Sequence, residues 1–162
     1  MTWYKDLGLK RLDGNPVGDE LAGKALLIVN VASQCGYTPQ YSGLVALHDE
    51  LAGQGGGPSA GGFAVVGVPC NQFGAQEPGS AEQIAEFCAT RFAVDFPLLE
   101  KQDVNGPNRS PLYAHLVGGG EAIRWNFEKF VVDKNGVVKA RFGSRTKPED
   151  GPLRVAIADA IS

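Results

Sequence analysis

The chain carries 3 cysteines, Cys35, Cys70 and Cys88, and their settings differ in what a thiol could do. Cys35 follows "ALLIVNVAS", an apolar run rich in Leu, Ile and Val that reads as a central strand covered on both faces. It precedes "GYTPQYSGL", where a helix is predicted with Thr38 as N-cap and Pro39 at the first helical position. In open α/β sheets, sites gather at the carboxyl ends of strands. A helix start adds unpaired N–H groups and partial positive charge, which favour the thiolate, the nucleophilic form of cysteine. Position alone leaves a second reading open, because free cysteine is among the most buried residue types. The small or polar neighbours Ser33, Gln34 and Gly36 favour an accessible thiol. Dithiol exchange within the loop would need a second cysteine three residues on, and Thr38 stands there.

Composition narrows the chemistry. The 162 residues, 43% of them hydrophobic, suit one domain, 1–162, with its own core. A net charge of -3 and a pI near 5.4 leave no basic footprint for nucleic acid or an anionic membrane. No apolar run approaches the roughly 20 residues that span a bilayer. Charges in "MTWYKDLGLK" interrupt what would be the apolar core of a secretory signal. An odd number of cysteines without regular spacing suits a reducing compartment, and the expected location is the cytoplasm. With 2 histidines and no Cys-x-x-Cys or His-x-His spacing, neither a metal site nor a cofactor is predicted.

The order of elements then follows from periodicity. Asp13-Gly14 lies between short extended runs and predicts an N-terminal hairpin. In the helix after Cys35, Leu44, Leu47, His48 and Leu51 share one face. The Gly53–Gly62 stretch reads as a loop by composition, too short to divide domains. "FAVVGVP" is a second buried strand, leading into Cys70 and the polar loop "CNQFGAQEPG". Ser80 and Gln83 form a capping box for a helix from Ala81 to Arg91, with Ile84, Phe87 and Cys88 on its apolar side. Ser110-Pro111 opens a short helix, and Asn135-Gly136 marks the turn of a second hairpin. A last helix places Leu153, Ala156, Ile157 and Ile161 on one side. Helices alternating with buried strands predict an α/β protein with a central mixed sheet flanked by helices, for which the thioredoxin-like fold is the candidate.

Three blocks, "NVASQCGYTPQY", "PCNQFGAQEPGS" and "WNFEKFVVDKNG", resemble the signatures of the glutathione peroxidases, with Cys35 where the animal enzymes carry selenocysteine. The resemblance runs from the first strand to the last helix. It implies that Cys35 is the peroxidatic residue and that Gln76, Trp125 and Asn126 complete a catalytic tetrad. The residue types agree. No Lys, Arg or His lies close to Cys35 in sequence, whereas two amides and an indole N–H supply neutral donors. Such donors, with a helix start, can stabilise a thiolate and the oxygen anion that leaves the peroxide.

Oxidised Cys35 would be a sulfenic acid, which condenses with another thiol. In the thioredoxin-dependent branch of the family the resolving cysteine occupies the position of Cys88, and glutathione-dependent members generally lack it. The resemblance therefore implies a two-cysteine peroxidase acting on hydrogen peroxide and organic hydroperoxides, recycled by thioredoxin. Cys70 is assigned to packing. Val68 stands where the family usually has Phe before the proline. The short Gly-rich link between Leu116 and Trp125 lacks the assembly loop of tetrameric members, which implies a monomer with an open site. Cys35 and Cys88, on separately packed helices, are expected to be too far apart to bridge until the Cys88 helix unwinds. Two rivals share the first step: a glutathione-dependent peroxidase, and a redox sensor or relay that passes oxidation to a partner protein's thiol.

Overall fold

Strand β1 (Ala25–Val31) is buried along its whole length, as its apolar sequence demands. It pairs in parallel with β2 (Phe63–Pro69) and antiparallel with β3 (Lys129–Val132), which pairs with the antiparallel β4 (Val138–Phe142). The result is a mixed 4-stranded sheet in the order β2-β1-β3-β4. The computed structural model describes residues 2–52 and 62–162, so the predicted Gly53–Gly62 loop, Gly62 apart, lies outside the described residues.

Alternation along β1 divides the core into two layers. Ala25, Leu27, Val29 and Val31 face helices α1 (Gln40–Ala52), α2 (Ala81–Phe92) and α4 (Gly151–Ile161). Leu26 and Ile28 face the other way, onto α3 (Pro111–Val117) through Leu112, Tyr113 and Leu116. Each fully buried Val, Leu or Ile contributes about 1.5–3 kcal/mol from removal of apolar surface from water. Among the described residues, no helix is long and apolar enough to cross a membrane.

Two predicted elements differ in detail. The N-terminal hairpin is reduced to one antiparallel bridge, Lys10 to Pro16, flanked by bonds from Arg11 N–H to the Asn15 carbonyl and from Val17 N–H to the Leu9 carbonyl. Proline has no N–H to extend the ladder. The arm instead pairs outward, Arg11 bridging Leu99, while Leu98 bridges Gly67 of β2. The helix after Cys35 starts at Gln40, so Thr38 is not its N-cap and Pro39 is not its first residue. Bonds spanning three residues wind the chain from Cys35 to Ser42 before the α-helix begins. The Thr38 hydroxyl is diverted to accept the Cys35 N–H at 3.0 Å and to donate to the Ala32 carbonyl at 2.8 Å. Threonine side chains that bond nearby backbone compete with helical winding in this way.

Helix α2 is closed by devices at both ends. The Ser80 hydroxyl accepts the Gln83 N–H at 3.2 Å, and the Gln83 side chain accepts the Ser80 N–H at 2.9 Å, the predicted capping box. At the other end Ala93 is left-handed (φ 52), and the Val94 N–H returns to the carbonyl of Cys88 at 3.1 Å. Ser80→Ala should weaken α2 by about 1 kcal/mol, the usual cost of a lost cap, and speed its amide exchange roughly fivefold in the reduced protein. Unchanged exchange across Ala81–Phe92 would show that the cap does not govern its opening.

Candidate active site

The carboxyl end of β1 delivers Cys35 into the wound turn that precedes α1. Its thiol is less accessible than its neighbours suggested: Gln34 and Gly36 are exposed, yet Cys35 itself is 8% exposed and packs in the layer with α1 and α2. The Tyr37 N–H donates to Cys35 Sγ at 3.3 Å.

Two neighbouring segments close on this turn. The loop from Cys70 to Gly79 approaches from β2, and the Gln34 N–H donates to the Gln76 carbonyl at 3.1 Å. The turn before β3 brings Trp125 and Asn126. Gly74 holds the two segments together: a side chain there would meet the Trp125 ring at 3.2 Å and Gln76 at 3.5 Å. Its φ of +67 favours glycine for a second reason. The Asn126 amide donates to Gln76 Oε1 at 2.9 Å, which leaves the Gln76 NH₂ available as a donor. Neither that group nor the Trp125 indole N–H has an acceptor among the described residues. The structure thus brings Gln76, Trp125 and Asn126 to one place beside the Cys35 turn. It does not give the sulfur a bond from each, since among the described residues only Tyr37 N–H reaches it.

The turn carrying Trp125 and Asn126 is strained and pinned. Phe127, the next residue, has φ 64, and Ala75, just before Gln76, has φ 51. Such left-handed non-glycine residues cost on the order of 1 kcal/mol or more and persist only where surroundings impose them. Asn30, a buried amide in the otherwise apolar β1, donates to the Trp125 carbonyl at 3.0 Å, and its own carbonyl accepts the Phe127 N–H at 2.6 Å. Ser144 donates to the Asn126 carbonyl at 2.5 Å and the Lys129 ammonium to that of Phe127 at 2.6 Å. Burial holds Lys129 near a pKa of about 8.

Glu77 was not singled out by sequence reasoning, yet it ties the two loops together. Fully buried, it accepts the Ser33 N–H at 3.1 Å and the Ser33 hydroxyl at 2.5 Å, and its second oxygen has no partner. A carboxylate directly after Gln76 and among loop residues was the available signal. Burial pushes its pKa up, only partly opposed by the Ser33 bonds and by Lys101.

The other thiols occupy opposite sides of the sheet. Cys88 is buried inside α2 in the same layer as Cys35, and Cys70 lies in the layer with α3. All three are free. Burial pushes the Cys88 thiol up in pKa; the Tyr41 hydroxyl beside it opposes this, and Glu77 adds to it. Burial likewise pushes Cys70 up.

Comparison with known proteins supplies the remaining observation: the family described as Glutathione peroxidase matches residues 4–117. The chain belongs to the glutathione peroxidase family. A Synechocystis relative named hydroperoxy fatty acid reductase Gpx2 is 58% identical over 154 residues, covering 94% of this chain and 96% of its own length. The Saccharomyces cerevisiae protein named glutathione peroxidase-like peroxiredoxin HYR1 is 51% identical over 136 residues, 80% of this chain and 79% of its own. The crystal structure of T. cruzi GPX1 superposes with a TM-score of 0.71 at 34% identity, covering 94% of this chain and 92% of that one. The mixed sheet with helices on both faces is thus the thioredoxin-like fold the motifs implied.

Glu77 makes the stability of this peroxidase depend on pH. With its folded pKa above the ordinary 4.5, the native protein binds more protons than the unfolded chain between those two values. Stability contributed there is lost as pH rises through that window. Relative to Glu77→Gln, the reduced wild type should therefore lose stability as pH is raised from about 4.5 toward neutrality. Urea unfolding midpoints across that range check this; parallel curves for the two proteins would refute it.

Proposed function

We propose that this glutathione peroxidase reduces hydrogen peroxide and organic hydroperoxides through Cys35, resolves the oxidised sulfur with Cys88, and is recycled by thioredoxin. The observation that carries the reading is the assembly of Gln76, Trp125 and Asn126 beside the Cys35 turn, with the Gln76 NH₂ and Trp125 N–H uncommitted. The Cys35 sulfur attacks the terminal peroxide oxygen; the S–O bond forms, the O–O bond breaks, and the departing alkoxide or hydroxide takes up the proton the thiol released. The two free donors, with Tyr37 N–H, suit the negative charge that moves from sulfur to oxygen in this step.

Cys88 then attacks the sulfenic sulfur, the disulfide forms, and the hydroxyl leaves as water with the Cys88 proton. Two features support Cys88 over Cys70: it shares a core layer with Cys35, and the sheet does not stand between them. Cys88 sits inside an intact helix, so resolution requires α2 to open. The names of the relatives, a hydroperoxy fatty acid reductase and a peroxiredoxin, agree with hydroperoxide substrates and a thioredoxin-type reductant. For efficient recycling the disulfide must have a potential above that of thioredoxin, about −270 mV. The reading takes 1–162 as one domain acting as a monomer in the cytoplasm, where its three thiols stay reduced.

The test is turnover with thioredoxin, thioredoxin reductase and NADPH. Cys35→Ser should abolish it, because a hydroxyl of high pKa cannot replace the thiolate. Cys88→Ser should consume about one equivalent of peroxide and then stop, and Cys70→Ser should sustain turnover. A stall in Cys70→Ser in place of Cys88→Ser would overturn the resolving assignment, and a stall in the wild type would favour a redox relay.

A further inference from the structure

Glu77 has one oxygen more than its structural role uses. Its Oε1 accepts both the Ser33 N–H and the Ser33 hydroxyl, and that pair of bonds is enough to tie the Gln76 loop to the Cys35 turn. Its Oε2 is buried and has no hydrogen-bond partner among the described residues. A buried polar atom left unpaired costs about 1–3 kcal/mol, and more on a charged group. Such atoms are few in native proteins, and a catalytic role is one of the reasons for keeping them.

What this carboxyl can do follows from what holds it. Its backbone N–H donates to Asn71 Oδ1 at 2.9 Å, and its side chain is held by Ser33, two residues before Cys35. None of these bonds involves α2. A cavity of about 340 Å³ lies between the turn and that helix, lined by Ser33 and Gln34, by Gln83, Ile84 and Phe87, and by Glu77 itself. The charge of Glu77 acts on the Cys88 thiol of α2, on the Tyr41 hydroxyl of α1 beside it, and on Cys70 after β2, while Lys101 is the cation that acts on Glu77. The carboxyl is thus anchored to the turn that carries the oxidised sulfur and is close enough to Cys88 to influence it. Opening α2 moves Cys88 and leaves Glu77 in place.

We propose that Glu77 is the proton carrier of the resolving step: its free oxygen takes the proton of the Cys88 thiol and delivers it to the hydroxyl that leaves Cys35. This rests on the reading of Cys35 as peroxidatic and Cys88 as resolving. The S–H bond of Cys88 breaks and an O–H bond forms on Glu77. The electron pair left on the Cys88 sulfur makes the S–S bond as the S–O bond of Cys35 breaks. The departing hydroxide takes the proton from Glu77 and leaves as water, so the carboxylate is regenerated and nothing beyond the sulfenic acid and the thiol is consumed. Burial, which raises the pKa of Glu77, also makes it a stronger base toward the thiol.

The experiment adds one equivalent of hydrogen peroxide to the reduced protein without thioredoxin and quenches with acid at intervals. Mass spectrometry then follows loss of the Cys35 thiol, which reports oxidation, and appearance of the Cys35–Cys88 disulfide, which reports resolution. Glu77→Gln keeps an oxygen for the Ser33 bonds but cannot take up a proton, and its ratio of resolution rate to oxidation rate should fall roughly hundredfold. In the wild type, resolution should quicken as pH rises through the Glu77 pKa, above the ordinary 4.5, because only the ionised carboxyl accepts a proton. Glu77→Asp should keep that rise at a lower rate, and Glu77→Gln should lack it and quicken only at higher pH, where Cys88 ionises unaided. A Gln variant that matches the wild type in ratio and pH profile overturns the proposal, and so does equal slowing of both steps. A fall in the ratio accompanied by slower amide exchange across Ala81–Phe92 also overturns it, since the defect would then lie in opening α2. If the wild type itself forms no Cys35–Cys88 disulfide, the resolving assignment fails, an outcome distinct from any change confined to the Glu77 variants.

Discussion

The bonds between Asn30 and the Trp125–Phe127 turn are the constraint on which the site rests. An amide in the middle of a buried strand would ordinarily be a liability, since an unpaired buried polar group costs about 1–3 kcal/mol. Here its NH₂ and its backbone carbonyl are both used on the same turn, while its side-chain oxygen has no partner among the described residues. They hold Phe127 in a conformation that non-glycine residues avoid, and this aims Asn126 at Gln76. Ser144 and Lys129 secure the adjoining carbonyls, so the turn is bonded to β1, to the loop after β4 and to β3 itself. The Gln76 amide is therefore tied, through Asn126 and its turn, to a strand buried along its whole length.

The site relies on directional neutral groups. Among the described residues, a single backbone N–H and no cationic side chain bonds the Cys35 sulfur, and uncommitted amide and indole N–H groups stand nearby. Fixed dipoles of this kind need no reorganisation when charge moves from sulfur to oxygen. Inside α2, burial and the proximity of Glu77 push the Cys88 thiol up in pKa, opposed by the Tyr41 hydroxyl.

Features carried by short-range pattern were legible in the sequence. The apolar runs of β1 and β2, the Ser80–Gln83 capping box, the Ser110-Pro111 helix start and the Asn135-Gly136 turn all appear where periodicity and local chemistry put them. Thr38 was misread because its hydroxyl had two uses, and the bond to Cys35 N–H closed a turn in place of a cap. Features set by distant partners were not legible. Asn30 acts on residues 95 positions away and Glu77 on Ser33, 44 positions away, so neither shows a local signature. The burial of Cys35 has the same origin: its polar neighbours in sequence are not its neighbours in space.

The C-terminal closure of α2 hangs on the carbonyl of Cys88, the residue to which the proposed function gives the resolving role. Drawing Cys88 outward necessarily removes the acceptor of the Val94 N–H, and with it the reason for Ala93 to stay left-handed. Alanine has no preference for that conformation, so its release is downhill. The backbone of Cys88 and the closed end of the helix are thus coupled through one carbonyl. Unwinding the helix as far as Cys88 therefore also releases the bond that closes its final turn.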